Sequence, residues 1–232
     1  MANNYLDAIE IHGLEETFGT NVDVEEVLSS NAMLVKILVD GSTSMECYED
    51  AMRDCLEHYR SAISNSKQAD EMLVSKTEFS SNIRTGGYVV PADFDTSYHA
   101  DGCTKLYDAI VEGRRSMMNY MEQLRDAGTN VRAVMVILTD GWDVGSQCSI
   151  GDARQAVQDM ISKEITVAFI AFGPDAFGIA DKLGIKKQNV LNVSNDESEL
   201  RRVMALVSKS AISASKKASS GASGSGDGFF DI

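Results

Sequence analysis

Short apolar runs alternate with amphipathic segments along most of this 232-residue chain, and this alternation limits the possible folds more than any other feature. The apolar runs predict strands, and segments that repeat apolar residues every three or four positions predict helices. Strand–helix alternation requires crossovers, so we expect a single α/β domain, doubly wound, with a mostly parallel sheet and helices on both faces (a Rossmann-like arrangement). The predicted strands cover 33–39, 71–79, 83–90, 131–138, 165–172 and 190–193.

The predicted helices lie between these strands. They cover about 48–63, 104–125, 152–162 and 176–183, and a last helix follows Asn195 or Asp196, either of which can cap it. The run 131–138 is the most hydrophobic stretch of the chain, which predicts a central parallel strand. The predicted domain therefore extends from 33 to 213.

Two segments flank this domain. Residues 1–32 form an acidic lead-in, for which we considered both partial packing on the domain and a solvated edge segment. Residues 214–232 form a predicted flexible tail, since 218–226 are all Ala, Ser or Gly. The tail ends in Phe229 and Phe230 between acidic residues, and these two rings either dock on another protein or fold back onto their own domain.

The charge balance excludes some classes of partner. The chain has 21 Lys and Arg against 35 Asp and Glu, a net charge of −14, which repels nucleic acid and anionic membranes. The sequence contains no apolar run long enough to span a membrane. The first residues lack the basic and apolar regions of a signal peptide, and four cysteines without C-x-x-C spacing indicate free thiols. We therefore expect a cytoplasmic protein.

Oxygen-bearing side chains follow two of the predicted strands and precede a helix. Asp40, Ser42 and Ser44 alternate after the first strand, Thr104 opens the second long helix, and Asp140 follows the run 131–138. Alternate side chains of an extended turn project to one side, and ligand sites of open α/β sheets form at the carboxyl ends of the strands. All five donors are oxygens, which favour Mg²⁺, Mn²⁺ or Ca²⁺ over zinc.

This set of residues resembles the metal-ion-dependent adhesion site (MIDAS) of von Willebrand factor A (vWA) domains. The resemblance extends over about 33–210 and all five positions match in type. It implies that Ser42, Ser44 and Thr104 bind the metal directly, with Asp40 and Asp140 acting largely through bridging waters. It also implies that an Asp or Glu of a partner protein completes the coordination, since neutral ligands leave the cation electrophilic.

The leading functional prediction is therefore a non-catalytic adaptor that depends on a divalent cation, Mg²⁺ or else Mn²⁺ or Ca²⁺, and that is not an enzyme. The chain resembles small cytoplasmic A-domain proteins of bacteria and phages, some of which accompany tellurium-resistance or stress proteins and others AAA+ ATPases. Trp142 and Asp143, directly after the last metal ligand, are candidate partner contacts, and Phe229 and Phe230 are candidates to dock a second protein.

Two alternatives stay open at this point. A metal-dependent phosphatase or hydrolase would use Asp40, although Ser42 stands where such enzymes carry a second Asp and no base histidine is evident. A regulatory module would instead ligate its own metal, or that of a neighbouring molecule, with Asp231 or the terminal carboxylate of Ile232.

Overall fold

The computed structural model describes residues 5–15, 19–27, 29–68, 71–172, 176–194, 196–219 and 228–231. A six-stranded sheet forms the centre of the described chain, with the strand order β3-β2-β1-β4-β5-β6, and every strand is parallel to its neighbour except β3. This confirms the predicted α/β class. The strands are β1 (Asn31–Asp40), β2 (Met72–Phe79), β3 (Ile83–Thr85), β4 (Asn130–Thr139), β5 (Thr166–Phe172) and β6 (Val190–Val193).

Five helices cover the two faces of this sheet within the described residues. Helices α1 and α5 pack on the face that carries Val35, Ile37 and Val39, and α2, α3 and α4 pack on the face of Leu34 and Leu38. Among those residues, no helix is both long and apolar enough to cross a membrane. The helices are α1 (Glu49–Ser64), α2 (Leu106–Asp126), α3 (Ile150–Ser162), α4 (Ala176–Leu183) and α5 (Glu197–Ser219).

The last helix begins where the sequence indicates and ends later. Asp196 caps it, because its Oδ1 accepts a hydrogen bond from the backbone N–H of Glu199 at 2.9 Å. The helix continues to Ser219, so 214–219 belong to α5 rather than to the tail predicted to begin at 214. The predicted linker is thereby shortened, and its remaining part, 220–227, lies outside the described residues.

The segment that precedes β1 packs on the domain over its described residues. Leu6 is fully buried, and the guanidinium of Arg115 donates to the carbonyl oxygens of Leu6 and Ile9 at 3.0 and 2.7 Å. Farther along, the backbone N–H of Val22 donates to the carbonyl of Tyr88 at 2.8 Å. The packed interpretation of the acidic lead-in agrees with these contacts, and the solvated one does not.

This packing also explains why the predicted strand 83–90 is short. β3 ends at Thr85, and a Cβ atom at Gly87 would lie 2.5 Å from the carbonyl carbon of Thr20. The amino-terminal segment therefore crosses directly over Gly87. Beyond Thr85, pairing with β2 continues through the hydrogen bond from the Gly86 N–H to the Lys76 carbonyl at 2.7 Å and through an isolated bridge between Val74 and Val89. The adjacent glycines Gly86 and Gly87 are visible in the sequence, but the segment that packs over Gly87 could not be predicted from it.

A lysine lies fully buried in the central strand β1. The ammonium of Lys36 donates to Ser75 Oγ at 2.9 Å and lies 5.3 Å from the centre of the Tyr88 ring. Burial lowers the pKa of Lys36 to about 7, and the nearby carboxylate of Glu112 only partly opposes this shift. A charged Lys36 therefore costs the folded state free energy at neutral pH.

We expect Lys36→Met to raise the free energy of unfolding at pH 7 by about 2 kcal/mol. Ser75 keeps its bond to the Gly86 carbonyl and Glu112 keeps Arg115, so no buried group loses its last partner. Lys36 binds fewer protons in the folded than in the unfolded chain above pH 7, so wild-type stability rises with pH and the advantage of the variant shrinks by about 1 kcal/mol per pH unit. Urea denaturation of both proteins at pH 7 and pH 9 measures the difference in their free energies of unfolding. A difference that is the same at both pH values would contradict the lowered pKa of Lys36.

Candidate metal centre

The predicted ligands come together where the two central strands end. Asp40 is the last residue of β1, and Asp140 directly follows β4, its neighbour in the sheet. The chain leaves β1 toward α1 on one face and leaves β4 toward α3 on the other. Such a reversal of direction opens a crevice at the carboxyl edge of a parallel sheet, which is where ligands bind in this class of fold.

Three of the five predicted side chains form a continuous chain of oxygen contacts. Ser42 Oγ lies 3.0 Å from Ser44 Oγ, and Ser44 Oγ donates to Asp140 Oδ1 at 2.8 Å. Ser42 is buried and Ser44 is exposed, so this chain of oxygens begins inside the domain and ends at the surface. The structure therefore brings residues 96 positions apart in sequence into direct contact.

Asp40 lies beneath this chain of oxygens and is fully buried. Its Oδ1 accepts from the backbone N–H of Ser42 at 2.9 Å, and its Oδ2 accepts from Thr139 Oγ1 at 2.5 Å. The Tyr98 hydroxyl donates to the carbonyl oxygen of Asp40 at 2.5 Å. Asp40 therefore has a fixed orientation set by β4 and by the loop that contains Tyr98.

The two carboxylates of the site lack full charge compensation. Burial raises the pKa of Asp40, the hydrogen bonds from Ser42 and Thr139 oppose that shift, and the charge of Asp140 adds to it. Burial also raises the pKa of Asp140 above its usual value, against the bond from Ser44. A cation near both carboxylates would favour their ionised forms.

The spacing of the oxygens fits a hexacoordinate metal ion. Adjacent ligands of an octahedral ion at roughly 2.0–2.1 Å lie about 2.9 Å apart, and the hydroxyl oxygens of Ser42 and Ser44, the two candidate direct ligands of this loop, are 3.0 Å apart. Across the described ranges, no three His, Cys, Asp or Glu side chains are grouped so that they could hold a metal. The serine hydroxyls are therefore essential to any metal site here, and their hardness favours a hard divalent cation.

The fifth predicted ligand reaches the same edge through backbone pairing. Thr104 is buried, and its carbonyl accepts from the backbone N–H of Val144 at 2.7 Å. Just before it, the backbone N–H of Thr43 donates to the Gly102 carbonyl at 3.0 Å. A Cβ at Gly102, where φ is +85°, would lie 2.2 Å from Ser81 Oγ. The loop before α2 thus adjoins the serine loop, and coordination by the Thr104 hydroxyl stays a prediction.

A buried carboxylate that the sequence reasoning did not assign holds the loop after β4. Asp108, in the first turn of α2, is fully buried. It accepts hydrogen bonds from the backbone N–H groups of Gln147, at 3.0 and 3.1 Å, and Cys148, at 2.8 Å. One indication of this role is present in the sequence, because Asp108 is an acidic residue among the apolar positions of a predicted helix. This carboxylate fixes the loop that begins at Asp140.

The two candidate partner contacts after Asp140 have different environments. Asp143 is half-buried, and its Oδ1 accepts from the backbone N–H of Tyr107 at 3.1 Å. Its carboxylate is thus engaged within the protein. Trp142 is 41% exposed, with the ammonium of Lys182 lying 4.4 Å from its ring centre. Trp142 is one of the large apolar side chains that this loop exposes, together with Val144 at 62%, and contact of either Trp142 or Asp143 with a partner stays a prediction.

The carboxyl-terminal tip lies at the other edge of the sheet. Phe229 is 8% exposed and packs in the core between the sheet and α5, with Phe230 partly buried against it. Asp231 lines a cavity together with Met33 and Val131, which lie at the amino ends of β1 and β4. The expectation that Asp231 ligates the metal of its own chain is therefore wrong for this structure, because the tip is anchored opposite to the site. Ile232 lies outside the described residues.

A profile of the von Willebrand factor type A domain matches residues 35–205, which is most of the chain. The chain belongs to the von Willebrand factor type A family. The matched range contains all six strands except the first residues of β1, and it contains every predicted metal ligand. A search of curated protein sequences found no match.

Solved structures with a similar fold include other A-domain-like chains of low sequence identity. The pilus adhesin SpaC of Lactobacillus rhamnosus GG, in its open conformation, has a TM-score of 0.61 at 13% identity over 85% of this chain and 31% of its own. Proximal thread matrix protein 1 from the mussel byssus, with a zinc-occupied MIDAS motif, has a TM-score of 0.59 at 15% identity over 78% and 46%. Manganese-loaded TRAP of Plasmodium vivax has a TM-score of 0.51 at 14% identity over 76% and 73%.

These similarities establish the shared fold. This A domain spans less than half of the length of the adhesin and of the byssus protein. The larger neighbours therefore contain additional parts for which this chain has no counterpart in the alignment.

Proposed function

We propose that this A domain is a non-enzymatic module that binds partner proteins through a divalent cation held by Ser42, Ser44, Thr104, Asp40 and Asp140. The observation that carries the proposal is the run of oxygens from Ser42 through Ser44 to Asp140, spaced at 3.0 and 2.8 Å. A bound Mg²⁺ or Mn²⁺ would supply an open coordination position for a carboxylate oxygen. In keeping with the family, Ser42, Ser44 and Thr104 hold the ion with neutral hydroxyls, while Asp40 and Asp140 act through waters.

The charge of the chain makes such binding strongly dependent on the cation. At a net charge of −14, the protein repels an acidic partner wherever no cation intervenes. Asp40 and Asp140 add two carboxylates at the binding position itself. Removing the ion therefore converts an attractive site into a repulsive one, so partner binding should be lost rather than merely weakened.

The buried position of Asp40 favours a binding module over a hydrolase. A catalytic carboxylate must reach the reacting atoms, whereas Asp40 is fully buried and both of its oxygens accept hydrogen bonds from Ser42 and Thr139. Its role is to position the serine loop. Ser44 and Trp142 are among the exposed side chains of this edge, and both suit contact with another protein.

The proposed setting is the cytoplasm of a bacterium, with the protein encoded by the bacterium or its phage and acting beside stress or tellurium-resistance proteins. All four cysteines are free, which suits a reducing compartment. The resemblance to small cytoplasmic A-domain proteins supports the same placement.

Selection of peptides on the immobilised protein in Mg²⁺ tests the proposed function. We expect the retained peptides to share an Asp or Glu whose change to Asn or Gln abolishes binding. EDTA should abolish their binding, because it removes the cation, and the Ser42→Ala substitution should weaken it at least about tenfold, because a direct ligand is lost. Ser64→Ala, which removes a hydroxyl bonded to the Arg60 carbonyl within α1, is the matched control and should bind normally. Peptides that bind equally well in EDTA would overturn the proposal.

A further inference from the structure

The four described residues of the carboxyl-terminal tip form a compact turn seated in a groove of the same chain. The backbone N–H of Gly228 donates to Asp231 Oδ2 at 2.7 Å, and the backbone N–H of Asp231 donates to the Gly228 carbonyl at 3.1 Å. The turn projects Phe229 into the core and stacks Phe230 edge-on against it, with ring centres 5.0 Å apart. The tip is thus a self-contained motif of two aromatic rings and a carboxylate.

The groove makes specific contacts to this motif. The backbone N–H of Phe229 donates to Asn189 Oδ1 at 2.8 Å, which fixes the direction in which the segment enters. A Cβ at Gly228 would lie only 2.7 Å from the carbonyl oxygen of Gln188. The groove therefore accepts glycine before the buried ring and little else, which is selectivity of the kind found in peptide-binding sites.

The groove is also electrostatically suited to an acidic segment. It opens into a cavity of about 450 Å³ at the amino edge of the sheet, and Arg125, Arg132, Lys163 and Lys186 line that cavity. Among the described residues that line it, the acidic ones are Glu164 and, from the tip itself, Asp231. The chain as a whole has a net charge of −14, so this local excess of basic side chains differs in sign from the protein's overall charge. The basic side chains complement the acidic residues that flank the two rings.

The connection between α5 and the tip makes the tip exchangeable. Eight residues, 220–227, join the end of α5 to Gly228, and all are Ser, Gly or Ala except Asp227. None of these residues has a large apolar side chain, so their composition offers no apolar group to hold the tip in place. The free energy that holds the tip in place therefore comes mainly from the turn 228–231, which any chain with the same short sequence can supply.

We propose that this groove is a second protein-binding site, specific for a glycine–diphenylalanine–acidic segment, which the tip fills in cis and the tip of a second copy fills in trans. The cis tip acts at a millimolar effective concentration, so it excludes competing segments of modest affinity. The site lies at the opposite edge of the sheet from the proposed metal centre, so it does not depend on a bound ion. A reciprocal exchange, in which the tip of each copy replaces the cis tip of the other, would link two copies of the chain and leave both metal edges exposed.

A labelled heptapeptide with the sequence of residues 226–232 tests the groove in the full-length protein. Phe229→Ser weakens the cis tip and leaves the groove intact, so we expect this variant to bind the peptide at least about tenfold more tightly than the wild type does. The peptide should also raise the thermal midpoint of the variant. A matched peptide carrying Phe229→Ser should not bind. Equal, weak binding of the first peptide to both proteins would overturn the proposal.

Two further arms keep the outcome decisive. Gly228→Val disturbs the tip through its contact with Gln188 but retains Phe229, so it replaces Phe229→Ser if that variant fails to fold. Peptide binding should be unchanged by EDTA and by the Ser42→Ala substitution. Binding that disappears with either change would overturn the proposal, because it would mean that the peptide occupies the metal edge.

Discussion

Replacing Asp40 with Asn should weaken Mg²⁺ or Mn²⁺ binding about 100-fold and leave the metal-free protein at least as stable as the wild type. The loss is expected because the carboxylate that orients the site and attracts the cation becomes neutral. Stability is retained because burial already disfavours the charged form of Asp40. Thr139 Oγ1, which also contacts the Gly141 carbonyl at 3.2 Å, can accept a hydrogen bond from the new amide.

The single tryptophan of the chain provides the measurement for Asp40→Asn. Trp142 lies two positions after Asp140 and is partly exposed, so its fluorescence should report a metal titration without any label. Asp101→Asn is the matched control, since it removes an exposed carboxylate near the same edge. Wild-type affinity in Asp40→Asn, or its unfolding in EDTA, would contradict the roles assigned to Asp40.

Removing the side chain of Asp108 should produce the largest loss of stability among these variants. Asp108→Ala leaves the backbone N–H groups of Gln147 and Cys148 without the carboxylate that accepts them. Hydrogen bonds to charged acceptors contribute about 1.5–3 kcal/mol each, and a negative charge in the first turn of α2 is favourable. We expect the free energy of unfolding to fall by about 3 kcal/mol or more.

Urea denaturation of Asp108→Ala measures this loss, and a metal titration of the folded variant tests its consequence for the site. The loop that Asp108 holds begins at Asp140, so metal affinity should fall as well. Asp126→Ala, at the exposed last turn of the same helix, should change neither quantity. A loss of stability below about 1 kcal/mol would mean that water replaces the carboxylate without cost.

The sequence predicted those parts of the molecule that depend on local periodicity and on the order of motifs. Apolar runs such as 131–138 have few alternatives to a buried strand, and the residues that follow parallel strands must share one edge of the sheet. For this reason the proximity of Ser44 and Asp140 could be predicted from the sequence alone.

The contacts that the sequence did not predict involve loop segments. No common periodic pattern of apolar residues relates the two segments of such a contact, so nothing in the sequence pairs them. The crossing of Gly87 by Thr20, and the support of the metal-side loop by Asp108, depend on how loops pack after the sheet has formed. The position of Phe229 also depends on this late packing. A pair of aromatic residues in a polar tail is compatible both with docking on another protein and with folding back onto its own domain. Periodicity contains no information about these choices.

The contact between Ser44 and Asp140 has a consequence for how the domain unfolds. The two residues are 96 positions apart, and the chain between them includes α1, β2, β3, α2 and all of β4. An ion shared by both ends would act as a reversible cross-link that closes this long loop, and cross-links of long loops lower the entropy of the denatured chain more than those of short loops do. Metal occupancy would then protect the central backbone amides against global opening, well beyond the loops that touch the ion.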